Sequence, residues 1–264
     1  MAPLLDARRN PSALASTRLL PQVGHRSVQR RDGRNLQNIE RMVASARPVH
    51  TMVDLSCDDG VNAVRFAGTA GASEVHGVEL VEDRARLATA RGIHVVAADL
   101  DGRLPYGDQS FDLVVANQVI EHLSDTDNFL REIHRILKPS GIVVFSPENL
   151  ASWHSVASLT LGWQPFSLTI SDVYVGIGNP LAIHRGERIS FQSLQHVRVF
   201  AYRGLRELPR SHGLEVSQVR GSGYFPLPRR LGRWGPRHAA FLAVKAHPAL
   251  NAASSFLRFT DLST

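Results

Sequence analysis

The chain has 264 residues, 43% of them hydrophobic and 20% charged, a balance that suits one large α/β core with a small appendage and excludes wholesale disorder. Its formal net charge is +6, and Lys138 and Lys245 are its only lysines, so arginine supplies nearly all the positive charge. The single cysteine, Cys57, excludes an intrachain disulfide and a cysteine-based zinc site and suits a reducing, cytoplasmic setting. No apolar run reaches the ~18 residues of a membrane span; Leu150 to Ser171 carries no charge, but Gln164 and Pro165 interrupt it.

Residues 1–34 are rich in Arg and Ser and broken by Pro3, Pro11 and Pro21, which predicts a disordered tail. From Asn35 a helix is predicted, because Leu36, Ile39, Met42 and Val43 fall three or four apart until Pro48 closes the segment. Val49 to Leu55 reads as a buried strand, followed by the turn Ser56-Cys57-Asp58-Asp59-Gly60 and a helix over Val61 to Ala67. A strand at Glu74 to Glu79, a helix at Glu82 to Arg91 and a short strand at His94 to Ala98 follow. Phe111 to Asn117 is an apolar strand, and Thr126 to Leu137 a helix stopped by Lys138-Pro139-Ser140-Gly141 before a strand at Ile142 to Ser146. The alternation then lapses over 149–195, which predicts a cap inserted after the fifth strand. It resumes with a helix at Val199 to His212, whose last turn Pro209 should break, and two closing strands at Leu214 to Val219 and Ala239 to Lys245.

Strand–helix alternation with short connections requires parallel strands, and right-handed crossovers place helices on both faces. The expected fold is α/β, a doubly wound, Rossmann-like, seven-stranded and mostly parallel sheet. Its core runs over 35–148, its cap over 149–195, and residues 196–264 complete the sheet. Ligands of such sheets sit at the carboxyl ends of the strands, which directs attention to the residues just beyond each strand.

Those residues carry a resemblance. The runs VDLSCDDG (Val53 to Gly60), VHGVEL ending on Glu79, VVAADL with Asp99, and FDLVVANQVIEHL followed by REIHRILKPSGIVVF resemble the class I S-adenosylmethionine-dependent methyltransferases, in particular the type 11 group. HVRVFAYRGLRELPRSHGLEV (His196 to Val216) extends the likeness. The resemblance implies a turn over Ser56, Cys57, Asp58 and Gly60 that cradles the methionine end of S-adenosylmethionine, with Asp54 orienting that end. It implies Glu79 on the ribose hydroxyls, with Leu80 beside it, Asp99 on the adenine amino group, the amide of Leu100 on a ring nitrogen, and the carbonyl of Asn117 on the cofactor amine. The spacing agrees, since a carboxylate about twenty residues past the glycine turn suits a ribose diol.

The family usually has Gly-x-Gly-x-Gly where this chain has Ser56-Cys57-Asp58-Asp59-Gly60, so only the last glycine is kept. Ser56 is small and Asp tolerates left-handed backbone, so the turn is expected to form. Cys57 reads as a packing residue rather than a nucleophile.

Methyl transfer from a sulfonium is an in-line displacement that needs no metal, and none is expected; a hydroxyl or ammonium acceptor needs a base. Histidines placed for that role are His122, His154, His184 and His196, with Tyr174 and Tyr224 as weaker candidates. The cap combines Trp153, Trp163, Phe166 and Phe191 with Asn149, Gln164 and Asn179, a composition that suits either an apolar acceptor pocket or simple fastening of the cap to the sheet. An aromatic acceptor would use those rings; an anionic one would use Arg185, Arg188, Arg198 and Arg229. A small-molecule acceptor is expected, with neither a nucleic-acid partner nor a membrane span. A nicotinamide-dependent oxidoreductase, a nucleic-acid-binding module and a non-catalytic adenosylmethionine-binding protein are the alternatives. The first needs Gly-x-Gly-x-x-Gly, which the turn lacks.

Overall fold

The computed structural model describes residues 25–46, 48–166, 168–171, 173–182, 185–188, 196–222 and 238–245. It has two units, 1–33 and 34–264. Of the first, only the opening of helix α1 (His25–Ala44) is described. That helix begins ten residues before the expected Asn35, inside the stretch expected to be a tail; residues 1–24 lie outside the described residues.

The second unit is built on seven strands: β1 (Thr51–Leu55), β2 (Glu74–Val78), β3 (His94–Val96), β4 (Phe111–Asn117), β5 (Leu137–Ser146), β6 (Leu214–Ser222) and β7 (His238–Lys245). Their order is β3-β2-β1-β4-β5-β7-β6. The first five are parallel, and β7 is antiparallel to both β5 and β6. Helices α2 (Val61–Ala70), α3 (Glu82–Ala90), α4 (Thr126–Ile136), α5 (Trp153–Thr160) and α6 (Tyr202–Ser211) complete the fold.

Strand period divides the core in two. Val53, Leu55, Val114 and Ala116 face Phe129, Leu130, Ile133 and Ile136 of α4 and Leu205 of α6. Met52, Leu113 and Val115 face Ile39, Met42 and Val43 of α1, Ala63, Phe66 and Ala67 of α2, and Ala88 of α3. A sheet buried on both faces explains the near-continuous apolar reading of β1 and β4. Truncating one large fully buried ring such as Phe66 removes about 3–5 kcal/mol.

Two local expectations are corrected. The helix before β5 ends at Ile136, and Lys138-Pro139-Ser140-Gly141 belongs to the strand. The register jumps there from Phe111↔Leu137 to Leu113↔Ile142, and Ser140 takes φ 62°, so what reads as a helix stop is a bulge. Pro209 does not break α6: it lies buried inside the helix, where so near the end a missing amide costs a single helical bond. The cap contains a helix of its own, α5, and is pinched at its base by the parallel bridge Asn149↔Phe200 with Leu150 N–H donating to the Phe200 carbonyl at 2.9 Å.

At the amino ends of β1 and β4, Asp112 ties three strands. It accepts from the Thr51 amide at 2.9 Å, the His50 amide at 3.0 Å and Lys138 Nζ at 2.9 Å. Partial burial would raise this carboxyl, but these donors outweigh it and hold it at about 2. Its folded value lies below its unfolded one, so the stability it contributes is present above the ordinary Asp value and is lost as pH falls through about 2. Asp112→Asn is expected to cost about 1–3 kcal/mol at neutral pH, and the difference from the parent should vanish in urea titrations carried down toward pH 2.

Candidate functional site

The strand order reverses between β1 and β4, so the connections leave their carboxyl ends in opposite directions, the place where sheets of this kind usually form a ligand crevice. At that point the chain leaves β1 through Ser56 to Gly60. Ser56 has φ 73°, Asp58 φ 50° and Gly60 φ 81°. The three left-handed residues fall at the three positions where the glycine-rich pattern would put glycine, so two L side chains carry a backbone strain of about 1–2 kcal/mol each.

The offset is visible. The amides of Ser56 and Cys57 both donate to the Val78 carbonyl, at 2.9 and 3.0 Å, and Gly60 N–H donates to the Cys57 carbonyl at 2.9 Å. Asp58 N–H donates to Glu79 Oε2 at 3.0 Å, while Val81 N–H donates to Glu79 Oε1 at 2.8 Å. A hydrogen bond to an ionised acceptor contributes about 1.5–3 kcal/mol, enough to match the strain at Asp58. Gly60 cannot be replaced as Ser56 and Asp58 have been. A Cβ there would lie 2.6 Å from Ile93 Cδ1 and 2.9 Å from Ala88 Cα.

Around this turn the chain gathers acids. Asp54 is buried, and its pKa is pushed well up, first by burial and then by Glu79. Asp58 pairs with Arg84 at 3.3 Å and Asp59 with Arg91 at 3.8 Å. Cys57 is buried against Gly77, where an added Cβ would come within 2.5 Å of its sulfur. Burial, then Asp54 and Glu79, push its thiol up to about 12, which agrees with a packing role. Leu80, 64% exposed, presents an apolar side chain just past Glu79. Asp99 is exposed at the tip of β3 and accepts from the Asp101 amide at 3.0 Å, with Leu100 half-buried between them.

Two polar residues that sequence reasoning missed close the far side. Asn35 of α1 donates to Asn117 Oδ1 at 3.2 Å and accepts from Ser146 Oγ at 2.9 Å, joining the tips of β4 and β5 to the helix. Their signal was a polar residue on the buried stripe of α1, where Asn35 is 3% exposed.

Beyond Asn117 the chain turns at Gln118, whose φ is 57°, into a short 3₁₀ turn, Ile120–His122. The Glu121 carbonyl accepts from the amides of Val197 at 3.0 Å and Arg198 at 3.1 Å, which draws His196 across to His122; their rings lie 4.8 Å apart. Glu148, just past β5, lies 3.8 Å from His196 Nδ1. Glu121 is 2% exposed; burial pushes its carboxyl up to about 8. Of the sequence candidates, His122 and His196 therefore meet. His154 instead packs beside Trp153 and Phe166 in the cap, with ring centroids 5.8 and 5.6 Å away. Arg198 is committed to the carbonyls of Leu123, at 3.2 Å, and Ser124. Tyr174, Arg185 and Arg188 are exposed on the cap; His184, Phe191, Tyr224 and Arg229 lie outside the described residues.

Residues 53–145 match the family described as a methyltransferase domain. Over 147 residues the chain is 29% identical to the malonyl-[acyl-carrier protein] O-methyltransferase of Erwinia billingiae, covering 54% of each chain. Over 100 residues it is 33% identical to the 27-O-demethylrifamycin SV methyltransferase of Amycolatopsis mediterranei, covering 34% of this chain and 35% of that one. The chain thus spans about half or less of the length of the curated relatives it matches. An S-adenosylmethionine-dependent methyltransferase from Mesorhizobium loti shares the fold, with a TM-score of 0.54 at 22% identity over 81% of this chain and 97% of that one.

Replacing Gly60 by Ala adds left-handed strain to overpacking against α3 and should cost about 2–4 kcal/mol. Asp58→Gly relieves strain at the price of chain entropy and should stay within about 1 kcal/mol of the parent. Urea unfolding followed by circular dichroism separates the two.

Proposed function

We propose that this chain, which belongs to the class I S-adenosylmethionine-dependent methyltransferases of the type 11 group, moves a methyl group from S-adenosylmethionine onto an oxygen of a small biosynthetic intermediate. The observation that carries this reading is the left-handed turn Ser56 to Gly60, held by Glu79 at the point where the strand order reverses. A nicotinamide-dependent oxidoreductase fits less well, because antiparallel β7 enters between β5 and β6 where the dinucleotide fold has parallel strands.

The residues present suit the cofactor. Each Glu79 oxygen accepts one backbone hydrogen bond and so keeps capacity for a hydroxyl, which fits a ribose diol. Leu80 offers apolar surface to a purine, exposed Asp99 accepts from its amino group, and the Leu100 amide meets a ring nitrogen. Asp54 and Asp58, beside the turn, favour a ligand whose other end is cationic; Ser56, Cys57 and Gly60 supply the turn backbone, and the Asn117 carbonyl takes the cofactor amine. Bound adenosylmethionine supplies a methyl group made electrophilic by its sulfonium, and the protein supplies alignment and exclusion of water.

His122 and His196 are proposed to serve the acceptor at the mouth of the crevice, because both stand beyond the ends of β4 and β5. His154 acts in the cap, whose Trp153, His154 and Phe166 rings form one surface for an aromatic acceptor, while Arg185 and Arg188 stand ready for an anionic one. Oxygen is favoured as the acceptor atom because a relative named above is the malonyl-[acyl-carrier protein] O-methyltransferase. Among the described residues no helix is long and apolar enough to cross a membrane, and the single buried Cys57 suits the cytoplasm.

Purified protein given methyl-labelled cofactor should label members of a panel of small hydroxy and carboxy acceptors, read by mass spectrometry. Label entering only RNA or protein would overturn the proposal. Asp99→Ala should raise the KM for the cofactor about tenfold, the loss of roughly one hydrogen bond to a polar edge, with a smaller change in kcat.

A further inference from the structure

The cluster beyond β4 has a feature that methyl transfer does not use. Glu121 is 2% exposed, and neither of its carboxylate oxygens has a hydrogen-bond partner among the described residues. A carboxyl group taken out of water without a partner costs several kcal/mol whichever way it is protonated, and folded proteins rarely leave one so. Glu121 is also aimed at two imidazoles: one ligand atom from each of Glu121, His122 and His196 lies within 4.8 Å of the others. Separations of that size allow all three to reach one ion at the roughly 2.0–2.2 Å typical of nitrogen and carboxylate ligands, with small side-chain adjustments.

We propose that Glu121, His122 and His196 bind a divalent transition-metal ion, of the zinc class, at the carboxyl end of the sheet. The donor set is two imidazoles and one carboxylate, which suits zinc or iron(II) and leaves coordination positions open to an oxygen ligand. Glu148 faces His196 Nδ1 at 3.8 Å, placing a second carboxyl group beside the imidazole, as outer carboxylates do at histidine metal sites. The backbone is arranged to make the cluster. Strained Gln118 turns the chain out of β4, and the Val197 and Arg198 amides clamp onto the Glu121 carbonyl, carrying His196 to within ring contact of His122 across 74 residues of sequence. Only the third ligand comes from outside the turn.

The site stands on side-chain geometry and does not depend on the proposed methyl transfer. If both hold, an acceptor oxygen bound at an open position would be more acidic than in water, which would let the ion take the part assigned to a histidine base.

The test uses the full chain, freed of metal with chelator and titrated with Co²⁺ and then Zn²⁺. One equivalent of Co²⁺ should bind with visible d–d absorption and be displaced by one equivalent of Zn²⁺, and Zn²⁺ should raise the melting temperature. Glu121→Gln, His122→Ala and His196→Ala should each weaken uptake at least about tenfold, while His212→Ala, a histidine paired with Asp127 outside the cluster, should not. His196 is partly exposed, so its alanine variant keeps the test open if Glu121→Gln fails to fold. Absence of stoichiometric uptake by the folded parent, or uptake unchanged by His122→Ala and His196→Ala, would overturn the site without touching the cofactor crevice.

Discussion

The Glu79 carboxylate sets the shape of the crevice. One oxygen takes the Asp58 amide and the other the Val81 amide, so a single side chain fixes both the turn after β1 and the start of α3. Without that acceptor, the left-handed backbone at Asp58 would lack its main compensation, and the Asp58 N–H would lose its partner. The group that forms the cradle is also the one proposed to meet a ribose, and on that proposal ligand binding and local folding are coupled through one residue. A ligand on Glu79 should therefore order the turn as well as occupy it.

The electrostatics follow. Burial raises the Asp54 carboxyl, and the nearby Glu79 raises it further. Two neighbouring buried carboxyl groups cost stability in themselves, which agrees with the cationic ligand proposed for the site. Cys57 is packed against Gly77, and its thiol is held protonated first by burial and then by the same charges.

Much of this was written in the local sequence. β4 and the tip residues Glu79 and Asp99 were legible because buried parallel strands read as apolar runs and their ends are where polar residues begin. The turn was harder. With glycine kept only at position 60, the left-handed geometry had to be inferred from the tolerance of Asp and the smallness of Ser, and it holds at all three positions. The bulge in β5 was misread, because Lys-Pro-Ser-Gly carries the marks of a helix end and nothing local shows that Lys138 is drawn toward Asp112 on another strand. His122 and His196 each stood out as candidates, yet their meeting depends on two amides clasping one carbonyl, a contact with no periodicity to announce it. Glu121, a charged residue inside an apolar run, is not singled out by the sequence and proves to be almost wholly buried.

The most direct measurement is a calorimetric titration of S-adenosylhomocysteine, the demethylated cofactor, into the parent and into Glu79→Gln with folding monitored alongside. If one carboxylate both shapes the turn and grips the ribose, the parent binds one equivalent and the variant, still folded, binds at least about tenfold more weakly, a difference of about 1.4 kcal/mol. A folded parent that takes up no ligand, or a variant that binds as well as the parent, would contradict the account.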